Sequence, residues 1–96
     1  MPINGKRYWS IIPPQPAAQI IEAAKKAEAI GLDGLWGIQL PGPPFLPLAT
    51  AAGSTHKLKL GTGVSLAFTR SPLETALSAL DLDLISGGRT VLGIGP

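Results

Sequence analysis

The sequence predicts an α/β fold built on a parallel sheet, and three observations carry that expectation. Short apolar segments at 7–12, 32–40, 57–67 and 90–94 are separated by stretches with helical period. Their apolar residues run on rather than alternate with polar ones, as in strands buried on both faces. Helix start and stop signals stand between them, which gives the order strand, helix, strand, helix, strand, helix, strand.

The first segment, Arg-Tyr-Trp-Ser-Ile-Ile, is aromatic and β-branched and ends at Pro13 and Pro14, which cannot donate to a ladder. Over 17–30 the period lengthens. Ile20, Ala24, Ala27 and either Ile21 or Ile30 recur at three and four residues, while Gln19, Glu22, Lys25 and Lys26 fall elsewhere. Pro16 suits a first helical turn, and Gly31 supplies a left-handed residue to end the helix. The second strand, 32–40, is closed by the stiff loop Pro41-Gly42-Pro43-Pro44. A short helix is predicted over 46–55, with Pro47 confined to its first turn.

The third strand, 57–67, contains Gly61 and Gly63, and glycines inside a strand mark a bulge or a close approach of backbone or ligand. Ser71-Pro72-Leu73-Glu74 is a helix start, with serine as N-cap, proline at N1 and glutamate three residues on. Leu73, Leu77, Leu80 and Leu84 form one apolar stripe, with Glu74, Ser78 and Asp81 off it. Gly87 and Gly88 end this helix before the last strand.

Composition bounds the function. Ninety-six residues hold at most one folding unit. A hydrophobic share of 45%, a charged share of 15% and a mean hydropathy of +0.28 exclude a charge-swollen disordered chain. Eight scattered Lys and Arg against six Asp and Glu leave no nucleic-acid footprint. The absence of cysteine excludes disulfides and thiolate chemistry within the chain. One histidine without a carboxylate cluster builds no metal site. No run of about 18 apolar residues is present, so no membrane span is expected and the expected location is cytoplasmic.

Three βα units plus a strand cannot close a barrel, which takes eight strands. The last strand would keep an unpaired edge beside Leu82, Leu84, Ile85, Val91, Leu92 and Ile94. The expectation is therefore that residues 1–96 form the N-terminal part of a larger barrel whose remainder is absent. The alternative is a small non-enzymatic α/β module that dimerises through its open sheet edges.

Most motifs reduce to structural readings. Gly61-Thr62-Gly63-Val64-Ser65-Leu66 lacks the third glycine of a dinucleotide fingerprint, and its helix starts too late. No Walker motif, nucleophile elbow or paired-carboxylate spacing occurs. His56 reads as a solvated loop residue, Asp33 as a turn residue at a strand entrance, and Asp81 and Asp83 as a solvated helix face. Arg70 opposes the dipole of the helix it precedes, and a surface arginine is the preferred reading.

Specific strings carry more. Ala27-Glu28-Ala29-Ile30-Gly31-Leu32-Asp33-Gly34-Leu35-Trp36 resembles the first helix and second strand of the luciferase-like monooxygenase family. Leu58-Lys59-Leu60-Gly61-Thr62-Gly63-Val64 is similar to that family's third strand. Arg70-Ser71-Pro72-Leu73-Glu74 and the segment from Leu84 to Gly95 resemble its third helix and fourth strand. The resemblance implies a TIM (β/α)8 barrel about three times this length, with flavin- or deazaflavin-dependent oxidoreductase or monooxygenase activity and a full-length homodimer.

Gly42-Pro43-Pro44-Phe45 and 67–72 most resemble the branch that uses deazaflavin coenzyme F-420, which is favoured over FMN. The resemblance further implies a non-proline cis peptide at Gly63-Val64 that supports the cofactor ring from behind. Gln39, Gly63, Val64, Gly93 and Gly95 are the implied cofactor-facing residues. Where many relatives carry an acidic residue and a histidine, this chain has Gln39 and Leu40. Glutamine can hydrogen-bond a ring edge but is no general acid or base, so no residue receives a catalytic role. Activity of the 96-residue chain alone is not expected.

Overall fold

A computed structural model describes residues 7–38, 42–66 and 71–95. The elements are β1 (Trp9–Ile12), α1 (Ala17–Ala29), β2 (Gly34–Gly37), α2 (Phe45–Ala52), β3 (Lys59–Thr62), β4 (Ser65–Leu66), α3 (Pro72–Ser86), β5 (Thr90–Val91) and β6 (Ile94–Gly95). Strands β1, β2, β3 and β5 form one sheet in that order, all parallel, and β4 pairs with β6, also parallel. This is the strand and helix alternation expected of βα units, with consecutive strands as neighbours.

Because side chains alternate across a strand, the register sorts the sheet into two faces. Ile12, Leu35 and Leu60 are buried under the helices, in one core with Ile20, Ala24 and Ala27 of α1, Leu48 and Ala51 of α2, and Leu82 of α3. The other face carries Trp9, Ile11, Trp36 and Val91, with Ile11 paired to Trp36, Trp36 to Gly61 and Gly61 to Val91. Ile11 and Val91 are exposed there, so the helices cover one side of the sheet alone. Among the described residues no helix is long and apolar enough to cross a membrane.

The helix ends follow the sequence. Ser71 Oγ accepts the Glu74 N–H at 3.0 Å, Pro72 opens α3, and Gly87 ends it at φ +69°. Gly31, at φ +87°, turns the chain out of α1, and Pro47 sits in the first turn of α2, where its missing N–H costs no helical bond. The strands are shorter than expected. The third breaks after Thr62 and resumes as β4, and the fourth breaks after Val91 and resumes as β6. The cause is Thr62, whose hydroxyl takes both main-chain groups of Gly93.

Other expectations are corrected or settled by the burial pattern. Leu73, Leu77, Leu80 and Leu84 are 69%, 52%, 65% and 82% exposed, and α3 buries Thr75, Leu82 and Ser86 instead. Leu82 belongs to the core rather than to an open edge. Asp83 is half-buried, and its Oδ1 accepts the Thr90 N–H at 3.1 Å, fixing the start of β5. Ile30 is exposed as well, leaving Ile21 as the half-buried member of its pair.

The loops at the strand entrances are tied by single side chains. Asp33 accepts the Tyr8 N–H at 2.8 Å, and its own N–H and C=O reach Tyr8 and Lys59. The Glu28 carboxylate accepts the N–H groups of His56, Lys57 and Leu58, at 2.9, 2.6 and 2.9 Å to Oε2. Partial burial works against its ionisation, but those N–H groups and the nearby His56 outweigh burial and hold the carboxyl below the ordinary glutamate range. A carboxyl depressed on folding contributes stability above its unfolded-state value and loses it as pH falls through the folded one. Glu28→Gln is therefore expected to lower the thermal midpoint at neutral pH and to flatten its decline on acidification. Melting curves of both proteins across the acid range check this.

Candidate functional site

In a parallel sheet every strand ends at the same rim, and helices on one side leave that rim open to a ligand. Here the rim is built by the residues at and beyond the ends of β1, β2, β3 and β5. Gly63 N–H donates to the Gly37 carbonyl at 2.8 Å, carrying the β2–β3 ladder one step past β3. The next peptide, Gly63-Val64, is cis, and β4 follows.

Thr62 locks this bulge to its neighbour. Its hydroxyl donates to the Gly93 carbonyl at 2.7 Å and accepts the Gly93 N–H at 2.8 Å, and Ser65 N–H donates to the same carbonyl at 2.8 Å. A Cβ at Gly93 would run into the Thr62 carbonyl oxygen, and one at Gly95 would lie 2.9 Å from Val64 Cγ2. These two glycines let the chain after β5 pass directly against the bulge.

Beside the bulge lies an open hollow of about 440 Å³, lined by Ile11, Trp36, Thr62, Gly63, Val64 and Gly93. Its size falls within the usual range for small-molecule sites, and its walls are almost wholly apolar. Trp36 stacks on Trp9 with ring centroids 4.2 Å apart and planes 25° apart. Glycines make room for both rings: a Cβ at Gly34 would lie 2.6 Å from the Trp9 ring, and one at Gly61 would strike Trp36. None of the lining side chains titrates, and Thr62 already gives its one proton to Gly93. The hollow can seat, orient and dry a flat apolar group. It offers no proton donor or acceptor of its own from a titrating side chain.

Of the residues expected to face a cofactor, Gly63, Val64 and Gly93 line this one hollow, and Gly95 packs against Val64. Gln39 lies outside the described residues, as does Arg70. His56 is exposed and remote in role, contributing its backbone N–H to Glu28. Among the described residues no group of His, Cys, Asp or Glu could hold a metal ion. Sequence reasoning missed Ile11, Trp36 and Thr62. What brings them to the site is the register that sets Gly34 beside Trp9 and Gly61 beside Trp36, which only the folded sheet shows. The space at Gly61 is taken by an indole of the chain itself, not by a ligand.

Comparison with known proteins agrees with this arrangement. A family model described as luciferase-like monooxygenase matches residues 5–96. An uncharacterized protein of Mycobacterium tuberculosis is 42% identical over 82 residues, which are 85% of this chain and 24% of the relative. A putative coenzyme F-420-dependent oxidoreductase of the same species is 39% identical over 89 residues, 92% of this chain and 25% of that protein. The solved structure of the coenzyme F-420-dependent tetrahydromethanopterin reductase from Methanopyrus kandleri superposes with a TM-score of 0.86 at 34% identity. That match covers 94% of this chain and 27% of the reductase. The chain thus spans about a quarter of the length of the relatives it matches.

Proposed function

Because the chain belongs to the luciferase-like monooxygenase family, we propose that it forms the cofactor-backing wall of a barrel oxidoreductase. The favoured cofactor is the deazaflavin coenzyme F-420, with FMN as the alternative. The observation that carries this reading is the apolar hollow at the strand ends, walled by Thr62, Gly63 and Val64 on one side and by Ile11 and Trp36 on the other. The relatives at 39% and 34% identity bear names that specify coenzyme F-420, which supports that cofactor over FMN.

The residues present fit a planar ring. Val64 and the flat peptide before it offer a surface without polar side chains, and Trp36 and Ile11 extend it toward β1. Gly93 and Gly95 hold the neighbouring strand against that surface, and Gln39 is proposed to hydrogen-bond the ring edge. Once bound, the tricyclic ring supplies the hydride chemistry. This wall fixes its plane, keeps water from its rear face and leaves the opposite face to the substrate. With no titrating side chain in the hollow, proton transfers are assigned to groups outside the lining set.

The test is a titration of the full-length protein with F-420 and, separately, FMN, followed by absorbance and fluorescence. Binding of F-420 is expected, weakened about tenfold or more by Val64→Asp, because a carboxylate would be desolvated against the ring. Binding of neither cofactor overturns the reading.

A further inference from the structure

The sheet face turned away from the helices carries two tryptophans, and each lies over a glycine of the next strand. The register pairs Trp9 of β1 with Gly34 of β2, and Trp36 of β2 with Gly61 of β3. A Cβ at Gly34 would lie 2.6 Å from the Trp9 ring. One at Gly61 would lie 2.5 Å from the Trp36 ring and 3.2 Å from that of Trp9. Gly63, where the β2–β3 ladder takes its last step, would meet the same Trp36 indole at 3.2 Å. The two rings stack with centroids 4.2 Å apart. They form a staircase that rises from β1 and stops at the hollow beside Val64.

Filling the inside of a sheet does not call for this arrangement. Branched aliphatic side chains do that in the layers of a barrel. Here two strand positions are given to glycine, at a conformational cost, so that two indoles can lie flat on the backbone. What results is an indole with one orientation. Trp36 cannot rotate without striking the main chain of β3 or the ring of Trp9, the kind of locking by packing that a precise site needs. Its neighbours in the lining set are not held in this way, for Ile11 is 58% and Val64 39% exposed. The Val64 wall fixes the plane of a flat ring but leaves it free to slide within that plane toward β1 and β2. Trp36 stands at the end of that slide.

We propose that Trp36 is the stop against which the edge of the cofactor ring rests, setting how far the ring enters the barrel, and that Trp9 is a positioning residue acting through it. This rests on the cofactor reading above. An indole meeting the edge of a ring is a favourable aromatic contact. Its depth matters because a displacement of about 1 Å at a reacting centre can cost about 100-fold in rate.

The experiment reads the time-resolved emission of F-420 and, separately, of FMN bound to the full-length protein. An indole in van der Waals contact quenches such a ring by lending the excited ring an electron that returns at once, with no net reaction. Emission bound to the unsubstituted protein is expected to be several-fold below that of the free ring and to decay faster. Trp36→Phe, its fold checked by circular dichroism, is expected to recover that emission and to weaken binding on the order of tenfold, because phenylalanine neither quenches nor reaches as far. Trp9→Phe keeps the quencher but releases it, so emission should stay low while its decay spreads over several lifetimes. A bound ring as bright and long-lived as the free one overturns the proposal, and this is read on the unsubstituted protein, whatever the folding of the variants. Unchanged emission in Trp36→Phe overturns it as well, since an indole that only fills the barrel would not touch the ring. Failure of both rings to bind is a separate result, which overturns the cofactor reading and the role of Trp36 with it.

Discussion

Gly93→Ala is expected to be among the most damaging single-methyl changes available in this chain. The added carbon would occupy the space of the Thr62 carbonyl oxygen, which is main chain and cannot rotate away. Relief requires the segment after β5 to retreat from β3, and the retreat breaks the two hydrogen bonds between Thr62 and Gly93 and the one from Ser65. Overpacking and the lost bonds together predict a loss of about 2–4 kcal/mol. The hollow at the strand ends should open with it, so cofactor affinity is expected to fall alongside stability. Urea unfolding measures the first effect. Gly42→Ala, whose new carbon meets nothing within 4 Å, serves as the matched control and is expected to be near neutral.

A loss of about 3 kcal/mol is expected for Arg89→Met, with little recovery in Arg89→Lys. The half-buried guanidinium reaches Thr55 Oγ1 at 2.8 Å and the Leu58 carbonyl at 2.9 Å through Nη1. Through Nη2 it reaches the carbonyls of Ala52 and Thr55, at 3.0 and 3.1 Å, and through Nε that of Ser86. One side chain thus satisfies the end of α2, the loop before β3 and the end of α3. Methionine fills much of the same volume but leaves those acceptors without their donor. An ammonium has three donors on a single point and cannot span acceptors arranged around a planar fork. Thermal unfolding of the two variants decides between this geometry and a simple need for positive charge. Equal stability of Arg89→Lys and the unsubstituted protein would favour charge alone.

Local chemistry was legible where one residue decides a conformation. Ser71 and Pro72 start α3, Gly87 ends it, and Pro47 falls in the first turn of α2, all as their side chains dictate. The glycine-containing third strand indicated a bulge, and the resemblance to the family placed a cis bond at Gly63-Val64, where the structure has it. Interactions between distant residues were not legible. Nothing in the sequence near Thr62 signals that its hydroxyl stands in for a main-chain partner of Gly93, which lies 31 residues away. The Glu28 carboxylate meets the N–H groups of 56–58 only after two βα units have folded.

The leucine stripe of α3 shows a different limit. Helical period identifies an apolar face but not what it faces, and the two faces of α3 compete. Thr75 and Ser86, polar by composition, are buried beside Leu82, while four leucines stay outside. Tertiary geometry made that choice: the face α3 turns inward carries Thr75, Leu82 and Ser86, with Ala79 partly buried against the core.

The most direct test of the proposed cofactor wall is a crystal structure of the full-length protein with F-420 bound. The ring is predicted to lie with one face in van der Waals contact with Val64 and the Gly63-Val64 peptide, its other face open toward the barrel mouth. A ring bound elsewhere, or one that touches no residue from 62 to 64, would contradict the account.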